Sequence, residues 1–225
     1  EGAIEVDLPI LRESDYPAYV DKLCSEIQRL LALQEGDYEV VGIGMGAPMA
    51  NYNNCTIDNP GNLWTPDNVS DQHNRIFPIA KDILARFESD AKLNGTKIVV
   101  TNDANAAALG EAIAGAAKGV KDSVMITLGT GLGGGIIIDG NIYSGSNCAG
   151  GELGHTVIAA GGEMCACGRK GCLEAYASAT ALIRDTKRAM QAHKDSKMWE
   201  IGSLDEVTGK TAFDYKDSDP YAKAV

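Results

Sequence analysis

The stretch KIVVTNDANAAALGEAIAGAAKGVKDSVMITLGTGLGGGIIID, Lys97–Asp139, decides the fold. KIVVTND reads as a buried-type strand, and ANAAALGEAIAGAAKG (104–119) reads as the helix that follows it directly. SVMITL (123–128) is a second strand, which runs into GTGLGGG and resumes as the strand GIIID. Gly129, Gly131 and Gly134 formally satisfy G-x-G-x-x-G, and Glu152 lies near the distance expected of a ribose-binding acid. A dinucleotide site, however, needs a helix after its glycines, and here Ile136-Ile137-Ile138 continues as strand. No Gly-Lys-Ser/Thr follows, so this is not a Walker loop either. What remains is a β-turn-β with bare backbone N–H groups and the Thr130 hydroxyl. It reads either as a phosphate-binding nest or as a glycine-rich hairpin with no ligand.

Working outward, strands alternate with helices in the first half, which favours an α/β layer with a largely parallel sheet. Residues 15–34 keep helical spacing through Val20, Leu23, Cys24, Ile27, Leu30 and Leu31, with Ser14 or Asp15 as the cap. Residues 38–46 read as a strand, 51–68 as a long loop, and 76–92 as a second amphipathic helix. Asp139-Gly140 makes a tight turn into NIYSG. ELGHTVI reads as a further strand and 173–194 as one long helix ending in basic residues, with polar connection after it. The hairpin beyond residue 123 turns the whole into a mixed sheet.

Composition narrows the function classes. The chain has 225 residues, 44% hydrophobic and 23% charged, enough for one large domain or two small ones. A net charge of −11 argues against a nucleic-acid footprint, which needs a basic face. No apolar run reaches the ~18 residues of a membrane span. The opening EGAIEVDLPI has no initiator Met and no signal peptide, and DSDPYAKAV ends as abruptly. Pro220 there suits a helix first turn. The expectation is an internal piece of a longer protein. Six cysteines are too sparse for a disulfide scaffold, and their clustering favours a reducing, cytosolic setting. Cys24 reads as a buried free thiol, Trp64 as a packing anchor, and His73 and His193 as surface residues.

Two places carry chemistry. Asp103 stands where a strand ends and a helix begins, the edge at which α/β sheets bind ligands. It reads as a helix N-cap, as a general base for a substrate hydroxyl, or as both. Further on, GGEMCACGRKGCLEAY (161–176) holds Cys165, Cys167 and Cys172, with His155 upstream. Three thiolates and an imidazole satisfy tetrahedral zinc with Zn–S near ~2.3 Å. A disulfide within C-x-C is awkward, and a redox pair favours C-x-x-C. Four protein ligands leave no open position, so the zinc is expected to be structural. Arg169 and Lys170 offset its charge, while Glu152 and Glu174 flank the ligands. The two acids read either as simply solvated carboxylates or, with the free nitrogen of His155, as groups that zinc pins to face one small polar ligand.

These pieces, in order, resemble the sugar kinases of the repressor–open reading frame–kinase (ROK) family, bacterial glucokinases in particular. The resemblance runs from VGIGMGAP through GNLWT, VVTNDANAAALGE and ITLGTGLGGGIIIDG to GGELGH and CACGRKGCLE. It implies an α/β, actin-like/hexokinase-like (ribonuclease H-like) ATPase fold with two lobes and a cleft, incomplete at both ends. Residues 1–117 would belong to the smaller N-terminal lobe and 118–225 to the larger one. It implies that Asp103 activates the sugar 6-hydroxyl toward the γ-phosphate of ATP. Asn62, Asn102, Asp103, Glu152, His155 and Glu174 would contact the sugar. Gly129, Thr130 and Gly131 would form the second phosphate loop, with Mg²⁺ bridging phosphates. His155, Cys165, Cys167 and Cys172 are the family's zinc ligands. A cytoplasmic glycolytic enzyme, homodimeric in the parent protein, follows from the same resemblance.

Two family features are missing, the Asp-x-Gly-Gly-Thr phosphate motif and the C-terminal part, so this piece alone lacks part of the kinase machinery. Glucose is the expected substrate. The alternatives are a sugar-responsive repressor of the same family, or a kinase for N-acetylmannosamine or fructose. The acidic charge and the intact Asp103 with GTGLGGG favour the kinase.

Overall fold

The computed structural model of the chain describes residues 8, 15–60, 63–64, 75–146 and 149–225. They divide into two compact units, 1–106 and 107–225. Asn62, His73 and Cys148 lie outside the described residues.

The first unit is built on α1 (Tyr16–Ala32), β1 (Ile43–Gly46), β2 (Ala50–Asn51), β3 (Thr56–Asp58), β4 (Ile76–Phe77), α2 (Ile79–Arg86) and β5 (Ile98–Thr101). Asp15 caps α1 by accepting the Ala18 N–H at 3.1 Å, as its sequence position predicts. The apolar stripe of α1 buries Val20 and Cys24 in a core with Ile57, Ile79, Ile83, Phe87, Leu93 and Val100. β1 and β5 pair in parallel, Gly46 opposite Thr101, so both strands end at one edge of the sheet.

Three expectations need correction in this unit. The strand expected over 38–46 is regular only from Ile43. Residues 51–60 are not plain loop, because β3 lies among them and pairs antiparallel with β2 and, farther along, β4, while 61–62 and 65–68 lie outside the described residues. The helix expected over 76–92 begins only at Ile79, because Pro78 precedes it and Ile76–Phe77 are drawn into that sheet. Trp64 is a packing anchor, 3% exposed, with the rings of Tyr16, Tyr19 and Phe77 at 5.0–5.5 Å.

α3 (Asp103–Ala114) spans the division between the units. The second unit continues with β6 (Ser123–Leu128), β7 (Leu132–Ile138) and β8 (Asn141–Ile142), an antiparallel meander. β6 and β7 run in register from Ser123–Ile137 to Leu128–Leu132, so GTG is the turn between them. The second turn is tight, with Asp139 and Gly140 both at positive φ.

ELGHTVI does not form a strand. Leu153–His155 is a short 3-10 turn, and only Val157 makes a single bridge, to Cys172. The alternation in sequence loses to packing: Gly154 lies so close on β7 that a Cβ would collide with the Leu132 carbonyl. The helix expected over 173–194 is two, α4 (Glu174–Ala177) and α5 (Ala179–Ala192). Ser178 breaks it with extended backbone and caps α5 by accepting the Ala181 N–H at 3.1 Å. Because α5 ends at Ala192, the basic residues expected at its C-terminus fall beyond it.

The last thirty residues are not mere connection. Two 3-10 turns, Lys197–Ile201 and Leu204–Glu206, precede α6 (Thr211–Tyr215) and α7 (Pro220–Ala224). They close a separate core of Met190, Met198, Val207 and Ala222. Asp219 caps α7 ahead of Pro220, as the sequence predicts. His193 is half-buried rather than on the open surface, stacked on Tyr221 with centroids 3.7 Å apart. Among the described residues, no helix is long and apolar enough to cross a membrane.

Candidate functional site

In the first unit, β5 delivers Asn102 and Asp103 to the sheet edge and α3 starts at once. The capping role expected of Asp103 belongs to Asn102. Its Oδ1 accepts the N–H of Ala104 at 2.9 Å and of Asn105 at 3.2 Å. Asp103 is the first helical residue and is exposed, with one carboxylate oxygen also receiving the Ala104 N–H at 2.9 Å. Asn102 therefore caps the helix, and among the described residues the second carboxylate oxygen of Asp103 accepts no hydrogen bond.

The second unit carries the cysteine cluster. His155, Cys165, Cys167 and Cys172 offer four donor atoms that all lie within 4.8 Å of one another. Cys167 Sγ is 3.7 Å from Cys172 Sγ, and Cys165 Sγ is 3.6 Å from His155 Nδ1. A tetrahedral centre with ~2.3 Å zinc–sulfur bonds requires sulfurs about 3.8 Å apart, and a sulfur and an imidazole nitrogen about 3.5 Å apart. The residues fit the metal. Two short ladders shape the loop, Val157 with Cys172 and Met164 with Lys170. The Cys165 N–H donates to Arg169 O at 2.9 Å, and the Gly171 N–H to Glu163 O at 2.8 Å.

Electrostatics favour the thiolate at Cys167 and oppose it at Cys165. The Arg169 backbone N–H, reinforced by its guanidinium against the effect of burial, holds the Cys167 thiol well below its usual value. Burial pushes the Cys165 thiol up. Arg169 also donates to the His155 carbonyl at 2.8 Å, tying ligand loop to ligand.

Around this cluster the structure brings several expected residues together. His155 Nδ1 faces the sulfurs, while its Nε2 lies 3.8 Å from Glu152 Oε2. Glu174 Oε1 lies 3.4 Å from Cys165 Sγ, and Glu174 Oε2 accepts the Leu132 N–H at 2.9 Å. The line Glu152–His155–Cys165–Glu174 thus ends on the glycine turn. Gly131 sits so close to that carboxylate that a Cβ would collide with Oε2. Within the turn, the Gly129 N–H donates to Gly131 O at 3.0 Å. The N–H groups of Thr130 and Gly131 have no acceptor among the described residues. Adjacent unpaired N–H groups are what an anion-binding nest requires.

Sequence reasoning missed the supports of this turn and of the cysteine loop. Thr180 Oγ1 donates to Thr130 O at 2.7 Å and the Ala179 N–H donates to Gly129 O at 2.9 Å. The Tyr176 hydroxyl accepts the Glu163 N–H at 2.8 Å, and Arg188 pairs with the Glu163 carboxylate at 2.6 Å. The one local signal was Ser178 within a helical run, a capping type where a helix restarts.

Comparison with known proteins gives first the class. The chain is similar to a ROK-family glucokinase from Streptomyces griseus, solved with glucose and AMPPNP, at 34% identity and a TM-score of 0.67. The match covers 92% of this chain and 62% of that one. The fold is the actin-like, hexokinase-like α/β fold of such sugar kinases. Residues 6–223 match the ROK family, and the chain belongs to it.

A glucokinase of Halalkalibacterium halodurans is 40% identical over 201 residues, 88% of this chain and 56% of the relative. A xylose repressor of Bacillus spizizenii is 30% identical over 216 residues, 92% of this chain and 52% of the relative. The chain therefore spans little more than half the length of these curated relatives.

Proposed function

We propose that this chain carries the sugar-handling half of an ATP-dependent hexose kinase that converts glucose to glucose 6-phosphate. One observation carries the reading. A turn with two backbone N–H groups that find no acceptor among the described residues is joined through Glu174 to the cluster of Glu152, His155 and Cys165. A phosphate-binding feature and a hydroxyl-binding feature thus share one carboxylate.

In this reading Asp103 accepts the proton of the sugar 6-hydroxyl as that oxygen attacks the γ-phosphorus of ATP. The P–O bond to ADP breaks as the new one forms. Asn102, Glu152, His155 Nε2 and Glu174 hold the remaining hydroxyls, with Asn62 as a further contact. The N–H groups of Thr130 and Gly131 take phosphate oxygens, with Gly129 shaping the turn, and Mg²⁺ would supply charge neutralisation at the phosphates. Phosphoryl transfer depends mainly on positioning and charge neutralisation, which such groups supply. His155 Nδ1, Cys165, Cys167 and Cys172 would hold zinc. With no open position, it supplies shape rather than Lewis acidity. The smaller lobe of the kinase ends, on this reading, near residue 117. A cytoplasmic homodimer acting in glycolysis remains part of the same proposal.

The second reading, a sugar-responsive repressor, is favoured by the likeness to the xylose repressor over 92% of this chain. The exposed Asp103, relieved of capping duty by Asn102, favours the kinase, because a sensor needs no base. A coupled ATP assay on the full-length parent across a hexose panel tests the choice. Turnover of glucose above N-acetylmannosamine and fructose is the expected result. No turnover of any hexose, with sugar-dependent DNA binding instead, would establish the repressor.

A further inference from the structure

Thr180 lies outside every position that family resemblance assigns to sugar or nucleotide, yet its hydroxyl holds the carbonyl of Thr130 at 2.7 Å. Its neighbour Ala179 holds the carbonyl of Gly129 through its N–H at 2.9 Å. A trans peptide is planar, with its C=O and the next residue's N–H on opposite edges. Fixing the Gly129 carbonyl therefore fixes the direction of the Thr130 N–H. Fixing the Thr130 carbonyl fixes the Gly131 N–H in the same way. These are the two N–H groups of the turn that lack an acceptor among the described residues. The next N–H along, that of Leu132, is withdrawn from the set by Glu174 at 2.9 Å.

We propose that residues 174–180 form a brace that aims the two free N–H groups at phosphate, with Thr180 as its positioning residue. The same brace couples sugar occupancy to nucleotide affinity. The proposal rests on the kinase reading above. Glu174 is the hinge of the coupling. One of its oxygens holds the turn, and the other faces Cys165, where a sugar hydroxyl would be held. A sugar that orders this carboxylate orders the turn as well. By linkage, nucleotide must then tighten sugar by the same factor.

The test uses the full-length parent protein and calorimetric titration with AMPPNP and glucose, each alone and in the presence of the other. Thr180→Val keeps the shape and removes the donor. AMPPNP should bind about 2–10-fold more weakly to it, the range for one lost hydrogen bond. KM for ATP should rise in step, and glucose affinity in the absence of nucleotide should stay within about twofold of wild type. Glucose should tighten AMPPNP about fivefold or more in wild type, and less in the variant. Thr180→Ser, which restores the hydroxyl, should recover both values. Unchanged AMPPNP affinity and coupling in Thr180→Val would overturn the brace while leaving the kinase reading intact. Loss of glucose binding in Thr180→Val would mark a general structural defect and overturn it too. A wild-type parent that binds no hexose removes the kinase reading, and the brace with it.

Discussion

Glu174 accepts the backbone N–H of Leu132 at 2.9 Å across 42 residues of sequence. One carboxylate thereby belongs to the cysteine loop and to the glycine turn. Gly131 is the residue that lets it approach, since a Cβ there would collide with Oε2. Gly131→Ala should displace the carboxylate and leave the Leu132 N–H unpaired at a buried position, at a cost of about 1–3 kcal/mol. A melting curve that falls by several degrees, together with weaker AMPPNP binding, is the expected result. A variant with wild-type melting and binding would contradict the close approach.

Asp103 and Asn102 should separate cleanly. Asp103→Asn should reduce turnover by about 10²–10⁴-fold, the usual worth of a general base, with little change in melting temperature. Asn102→Ala should cost about 0.5–2 kcal/mol of stability, because it removes the side chain that caps α3. Steady-state kinetics and thermal melts on both variants distinguish base from cap. An Asp103→Asn parent with full turnover would sink the mechanism.

The cysteine–histidine cluster makes a stoichiometric prediction. Elemental analysis should find about one zinc per chain, bound through His155, Cys165, Cys167 and Cys172. Cys172 is wholly buried, so Cys172→Ser should abolish the metal and lower the melting temperature. Chelator treatment should weaken glucose binding more than it disturbs the first unit's core. Zinc-free protein with normal stability and glucose affinity would discard the site.

Asp219 predicts a pH dependence. It is 3% exposed, and although burial pushes its carboxyl up, the hydrogen bonds prevail and hold it below the usual value. They come from the hydroxyl of Ser196 and the N–H groups of Tyr221, Ala222 and Lys197. A folded-state value below the unfolded one contributes stability above the ordinary carboxylate range, and that stability is lost as pH falls through the folded value. Asp219→Asn should cost about 1–3 kcal/mol at neutral pH and flatten the acid limb of the stability curve. Melting temperature against pH from about 2 to 7 reads both effects.

Much of the fold was legible because the deciding signals were local. A β-branched strand running straight into Asn102-Asp103 and a helix requires no distant partner to be read. GTGLGGG was separated from a dinucleotide loop by the three isoleucines that follow it. That His155, Cys165, Cys167 and Cys172 gather as a candidate ligand set was legible in their spacing. What failed was decided by contacts far along the chain. ELGHTVI alternates like a strand, but Gly154 lies against the Leu132 carbonyl and the segment curls instead. The C-terminal core takes Met190, Met198, Val207 and Ala222 from separate short elements, so no single period exposes it. Thr180 could not have been found, since its partner Thr130 is 50 residues away.

The brace also sets an order of events during synthesis. The turn at Gly129–Gly131 leaves the ribosome well before Glu174 and Thr180, which follow their partners by 42 and 50 residues. Until they emerge, the turn lacks the bonds that fix its peptide orientations. A nascent chain halted before residue 174 would carry the glycine motif without its working shape, and so would any splice or truncation made in that interval.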